Sequence, residues 1–254
     1  MSDWTREEAL IVAGSRLLHD DRIVFAGIGA PLVAAALAQR VHAPGLTIVL
    51  EGGCIGAKPR AGALPTSTNE MRSAHGSEML TGIVDVFLYA QRGLYDYGFV
   101  GVGQIDRFGN VNTSVIGPRE RPAVRLPGSG GANDIVSHCR EILLITKHER
   151  RRFVERIDFR TSPGYLGGGD ERALAGLTRG RPTQVMTDLA LFDFEPTSHE
   201  LRLQALQPGV EVDEVQEATG FELLVSPVVG RLTPPTVEEL HVLRELCEGP
   251  PPAA

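Results

Sequence analysis

Two short apolar runs rich in β-branched residues, Ile23 to Ala26 and Leu46 to Leu50, flank a helical stretch, and that arrangement constrains the chain more than any other feature. The first run ends in Gly27-Ile28-Gly29, Pro31 stands where a helix favours its first residue, and Leu32 to Val41 continues as an alanine-rich helix. Strand, turn, helix and strand make a β-loop-α-β unit, and such a crossover joins parallel strands. Gly27 and Gly29 also match the front half of a dinucleotide fingerprint, but Leu32 occupies the third glycine position, which favours a plain strand-to-helix turn.

The rest of the chain extends the same plan. Thr5 and Glu8 have capping-box spacing, and Ala9, Leu10, Val12, Ala13, Leu17 and Leu18 follow at helical period, which predicts a helix from Thr5 to His19. A helix is expected over Glu78 to Gln91, with Leu80, Ile83, Val84, Phe87 and Leu88 on its buried face. Strands are expected over Gly98 to Gly103, Val111 to Val115 and Glu141 to Thr146, with a turn at Asp106 to Gly109. Thr161 to Arg181 is glycine-rich and reads as a long surface loop. Val185 to Phe194 and Leu201 to Leu206 read as a meander turning at Pro196-Thr197-Ser198, before helices at Val212 to Thr219 and Val237 to Cys247. The expected fold is α/β, an open, mostly parallel sheet flanked by helices, in a single domain over residues 1–248 with a disordered tail at 249–254.

Composition excludes several classes of function. A formal net charge of −7 over 254 residues argues against a nucleic-acid partner, which would normally meet a basic stripe. Cys54, Cys139 and Cys247 form no Cys-x-x-Cys pair and read as free thiols, and His75, His138, His148 and His199 show no metal-ligand spacing. No metal is expected. The start of the chain has no apolar run of signal-peptide length, and no membrane-spanning run occurs, so the expected location is cytoplasmic.

The residue with most chemical promise is Glu51, at the end of the Leu46 to Leu50 run and directly before Gly52-Gly53. Open α/β sheets bind ligands at the carboxyl ends of their strands, so Glu51 is either a reactive carboxylate in a cleft or a solvated turn residue. Pro127-Gly128-Ser129-Gly130-Gly131-Ala132-Asn133 precedes a helical stretch and can aim several backbone N–H groups at one point, a layout that suits a phosphate or an oxyanion. Gln104 and Asn112 bracket the Asp106 to Gly109 turn, and Asn112, at a strand position, is a candidate neutral donor. Lys58 and Arg60 follow the Glu51 turn and could hold a substrate carboxylate or a coenzyme phosphate. Cys54 reads as a buried small thiol, and Arg150-Arg151-Arg152 as a solvated basic turn.

Taken in order, seven segments resemble the β subunit of family I coenzyme A transferases, most closely the glutaconate type. They are Gly27-Ile28-Gly29-Ala30-Pro31, Val49-Leu50-Glu51-Gly52-Gly53, Gly103 to Asn112, Gly128 to Asn133, His148 to Phe153, Thr161 to Gly164, and Thr219-Gly220-Phe221. The resemblance implies the coenzyme A transferase (NagB/RpiA-like) fold. It implies that Glu51 is the nucleophile of a ping-pong reaction passing through a glutamyl-CoA thioester, with coenzyme A as co-substrate and no tightly bound cofactor. It assigns oxyanion or CoA contacts to Asn112, Gln104, Gly128, Gly130, Gly131 and Ala132. A separate α subunit of similar fold, in an α2β2 or larger assembly, is also implied. Leu50-Glu51-Gly52-Gly53 replaces the Ser-Glu-Asn-Gly signature of the 3-oxoacid branch. Relatives that lack the glutamate hydrolyse or decarboxylate CoA thioesters, and a thioester hydrolase or decarboxylase using Glu51 as general base is the second enzyme reading. A ligand-sensing or accessory subunit is the non-enzyme reading.

Overall fold

The structure, a computed structural model, describes residues 4–248; the tail expected at 249–254 lies outside the described residues. A first helix, Arg6–Ser15 (α1), leads into Ile23–Ala26 (β1), Ala30–Val41 (α2) and Thr47–Leu50 (β2). The chain turns back through Cys54–Ile55 (β3) and Met79–Leu80 (β4) before Ile83–Gln91 (α3) and Tyr97–Gly101 (β5). Two small ribbons follow, Gln104–Ile105 (β6) with Val111–Asn112 (β7), and Val115–Ile116 (β8) with Val124–Arg125 (β9). Next come Ala132–His138 (α4), Glu141–Thr146 (β10) and Glu171–Leu174 (α5). Arg181–Thr187 (β11), Ala190–Phe194 (β12), Leu201–Leu206 (β13), Val212–Glu217 (α6), Leu224–Arg231 (β14) and Val237–Glu248 (α7) complete the chain.

Ten strands form one sheet in the order β14-β13-β12-β11-β10-β5-β1-β2-β3-β4. Its centre, β11-β10-β5-β1-β2, is parallel; antiparallel pairings extend it on both sides, and β14 closes one edge parallel to β13. Strand side chains alternate between faces, and here both faces are covered. Val24, Ile48, Leu50, Leu143 and Ile145 pack among residues of α1, α2 and α7, whereas Phe25, Val49, Ile142 and Leu144 pack among residues of α3, α4 and α6. Each such large apolar side chain, fully buried, contributes roughly 1.5–3 kcal/mol. The same alternation turns position 51, in step with Val49, toward the α3 and α4 side.

Several boundaries depart from the sequence expectations. The helix expected from Glu78 begins only at Ile83, because Met79 and Leu80 pair with Ile55 and Cys54 as an edge strand. Val86 and Ala90 form its buried stripe, while Leu80, Ile83, Val84 and Leu88 are exposed. The strand expected from Val111 to Val115 breaks in two because Asn112 Oδ1 accepts from the amides of Ser114 and Val115, a turn that competes with the ladder. The first helix stops at Ser15, and its Thr5–Glu8 capping box is formed in both directions. No sequence pattern predicts β14. It lies at the sheet edge with Val225 and Val228 exposed and so carries no alternation to read.

Candidate active site

Glu51 sits at the tip of the β2–β3 hairpin, where the Gly53 N–H donates to Leu50 O at 3.0 Å and Leu50 pairs with Cys54. Both following glycines are required by their surroundings. A Cβ on Gly52 would lie 2.2 Å from Thr68 O, and Gly53 combines a φ of +103° with a Thr81 carbonyl 2.0 Å from where its Cβ would stand. The backbone of residues 66–68 is thereby drawn against the Glu51 turn, and Thr66, Ser67 and Thr68 become one wall of the site.

The opposite wall is the glycine-rich loop before α4. The Gly131 N–H donates to Glu51 Oε2 at 3.1 Å, which ties two segments 80 residues apart. Gly131 is buried, and a Cβ there would meet the Phe87 ring at 2.5 Å and Glu51 Oε2 at 3.0 Å. No larger residue fits. Between these walls lies a cleft of about 660 Å³, floored by Gly27 and Ile28 after β1 and by Val100 to Gly103 at the end of β5. It opens at the carboxyl ends of the parallel strands, the place where such sheets bind ligands.

The structure sorts the other candidates. Gly128, Gly130 and Ala132 line the cleft, but the Gly128 amide donates to Thr113 O and the Ala132 amide to Ser129 O, so these two amides stabilise the loop itself. Asn112 is not available as an oxyanion donor, a correction to the sequence expectation. It is fully buried, and its Nδ2 donates to Gln104 Oε1 at 2.7 Å and to Val115 O at 2.6 Å. Gln104 is engaged in the same way. Its Nε2 donates to Asp158 Oδ2 at 2.8 Å while its Oε1 accepts from Asn112 and from the Asp158 amide, and neither carboxamide lines the cleft.

Lys58 and Arg60 also lie elsewhere. β3 runs back along β2, and the Ala57 amide reaches Ile48 O, so the chain carries both cations toward the amino-terminal end of β2. There they line a separate cleft with Arg40 and His75. Cys54 is buried, burial pushes its thiol up, and it does not line the cleft.

Arg152, which the sequence places in a solvated turn, instead lines the Glu51 cleft. Its Nε donates to Glu149 Oε2 at 2.9 Å and its Nη1 to Val102 O at 2.9 Å. Hydrogen bonds from Arg151 and Arg152 hold the Glu149 carboxyl down at about 2. The sequence signal is only a run of three arginines after a strand, and tertiary structure decides which of them turns inward. Among the described residues no group of three or more His, Cys, Asp or Glu could hold a metal ion, and no helix is long and apolar enough to cross a membrane.

A carboxylate held against a backbone amide in a cleft with no histidine or cysteine in its lining fits an acyl-transfer site in which the carboxylate itself reacts. The sequence profile of the coenzyme A transferase family matches residues 7–218, and the chain belongs to that family. It is similar to the β subunit of 3-oxoadipate CoA-transferase from Pseudomonas knackmussii, with 39% identity over 97% of this chain and 94% of that one. It is 32% identical to the β subunit of glutaconate CoA-transferase from Acidaminococcus fermentans over 96% of this chain and 92% of that one. The crystal structure of glutaconate coenzyme A-transferase from Acidaminococcus fermentans superposes with a TM-score of 0.89 at 30% identity, covering 97% of this chain and 95% of the other.

Proposed function

We propose that this chain is the β subunit of a CoA-transferase that moves coenzyme A between an acyl-CoA and a short, dicarboxylic acid through a thioester on Glu51. The observation that carries the reading is the Glu51 carboxylate lying in the cleft with the Gly131 N–H on one of its oxygens. A carboxylate nucleophile needs no general base, which agrees with a lining that holds no histidine or cysteine. Glu51 attacks the donor thioester carbonyl and expels CoA thiolate, giving a mixed anhydride. The thiolate then attacks the glutamyl carbonyl, releases the donor acid and leaves glutamyl-CoA. The acceptor carboxylate attacks that thioester to give a second anhydride, and returning thiolate attacks its acceptor carbonyl, freeing Glu51.

In the two glutamyl-centred steps the oxyanion develops on a Glu51 oxygen, where the Gly131 N–H already points. Removing such a donor costs on the order of 3 kcal/mol of transition-state stabilisation. The dicarboxylic class is favoured by the names of the relatives, which use 3-oxoadipate and glutaconate. A second subunit of similar fold, in an α2β2 or larger assembly, is part of the reading. Met79, Leu80, Ile83, Val84 and Leu88 leave an apolar surface on β4 and α3, the helix that also carries Phe87 against Gly131, and a partner subunit would cover it.

The test is covalent trapping. With this chain and its partner subunit purified together, acyl-CoA followed by hydroxylamine or borohydride should mark Glu51, as read by peptide mass spectrometry. Full turnover with an unmodified Glu51 would indicate a general base acting in a hydrolase or decarboxylase, and would overturn the proposal.

A further inference from the structure

We propose that Arg152 holds the far carboxylate of the acid exchanged at Glu51, an assignment that rests on the transferase reading above. Glu51 and Arg152 are the only charged side chains among the described residues lining the cleft. Glu51 follows β2, and the Arg152 guanidinium is bonded to Val102 just beyond β5, with β1 between those strands. The strand ends beside which they lie, those of β2 and β5, are two inter-strand spacings apart, roughly 10 Å. A short diacid bonded through one end to Glu51 has its other end near that position.

The guanidinium is both anchored and incompletely used. Nε is bonded to Glu149, Nη1 to Val102 O and, at 3.4 Å, to Thr146 Oγ1, while Nη2 makes no hydrogen bond among the described residues. Glu149 is shared between Arg151 and Arg152, so it neutralises the Arg152 guanidinium only in part. The Arg152 side chain is 30% exposed, open to a ligand yet held by three bonds. A fixed planar donor of this kind suits a carboxylate. The remaining lining is hydroxyl, apolar or glycine, with no second cation to take the same role. A monocarboxylate would offer nothing to the Nη2 of Arg152, which makes this residue a determinant of specificity.

The test uses the complex of this chain with its partner subunit, acetyl-CoA as donor, and succinate, glutarate and adipate beside butanoate, pentanoate and hexanoate as acceptors. The wild type should favour the diacids. Arg152→Gln should lower kcat/KM for diacids about 10- to 100-fold, the range of a hydrogen bond to a charged group, while that for monoacids and the KM for acetyl-CoA stay unchanged. Arg152→Lys, which keeps the charge, should recover part of the loss and serves as the probe if the Gln variant does not assemble. Equal losses for both acid classes indicate a merely structural residue, and a raised acetyl-CoA KM indicates a contact to coenzyme phosphate. Either result overturns the assignment, as does a wild-type preference for monoacids, or transfer to none of the acids although Glu51 is labelled. If Glu51 carries no adduct in any variant, the transferase reading itself has failed.

Discussion

Glu51 and Gly131 form a pair in which each sets the other's requirements. Gly131→Ala would drive a methyl group against Phe87 and Glu51 Oε2, so the loop must retreat and its amide must leave the carboxylate. We expect kcat to fall about 100-fold or more, with a melting temperature lowered only modestly, as read by steady-state kinetics beside thermal unfolding. Asn112→Ala should behave in the opposite way. It removes bonds to Gln104 and Val115 in a fully buried setting, and denaturant titration should register a loss of about 1–3 kcal/mol without selective damage to the glutamyl steps. Glu51 was legible in the sequence because a strand end followed by two glycines is a local pattern. The position of Asn112 was not, since the same residue type in the same register can point into a site or into a scaffold, and only its partners decide.

Among the elements, the segment between β10 and β11 shows how an apparently loose loop is fixed. Arg172, on the short helix α5, is 4% exposed and donates to the carbonyls of Pro163, Gly164, Val136 and Gly180. Asn110 joins the same segment to the Asp106 turn, accepting from the Gly164 and Leu166 amides. Replacing Arg172 with Ala leaves several carbonyls unpaired, and we expect a loss on the order of 3 kcal/mol in urea unfolding, with new proteolytic cleavage within residues 163–180. Glycine-rich composition gives no hint of this order, because one buried cation supplies it from within. α3 failed to match its expected face for a related reason. Its sequence is apolar nearly all round, so periodicity could not say which stripe meets the sheet and which stays exposed.

At the scale of the whole molecule, the parallel centre and the β11–β12–β13 meander were readable as short apolar or alternating runs, whereas the edge strands β3, β4 and β14 were not, since the first two are only two residues long and the third is largely exposed. His148, just after β10, stacks on Phe153 at 3.9 Å and hydrogen-bonds Thr219 Oγ1 at 2.9 Å, which ties this segment to the chain after α6. Burial lowers its imidazole from 6.5 to about 3. Between those values the unfolded chain takes up a proton that the folded chain does not, so stability falls as pH drops below about 6.5, by up to about 1.4 kcal/mol per pH unit from this group. Urea midpoints at about pH 7 and about pH 5 should therefore differ more for the wild type than for His148→Phe.

Glu51 stands on a three-residue turn closed by its own hairpin and crowded by neighbouring backbone, so it is not carried on a swinging loop. A library that diversifies only Thr66, Ser67 and Leu126, which line the cleft away from the turn and from the Gly128–Gly131 loop, could therefore retune which acids are accepted while the chemical step is retained. Randomising the turn itself should yield mostly dead clones. Substrate range and reactivity are separately evolvable in this architecture.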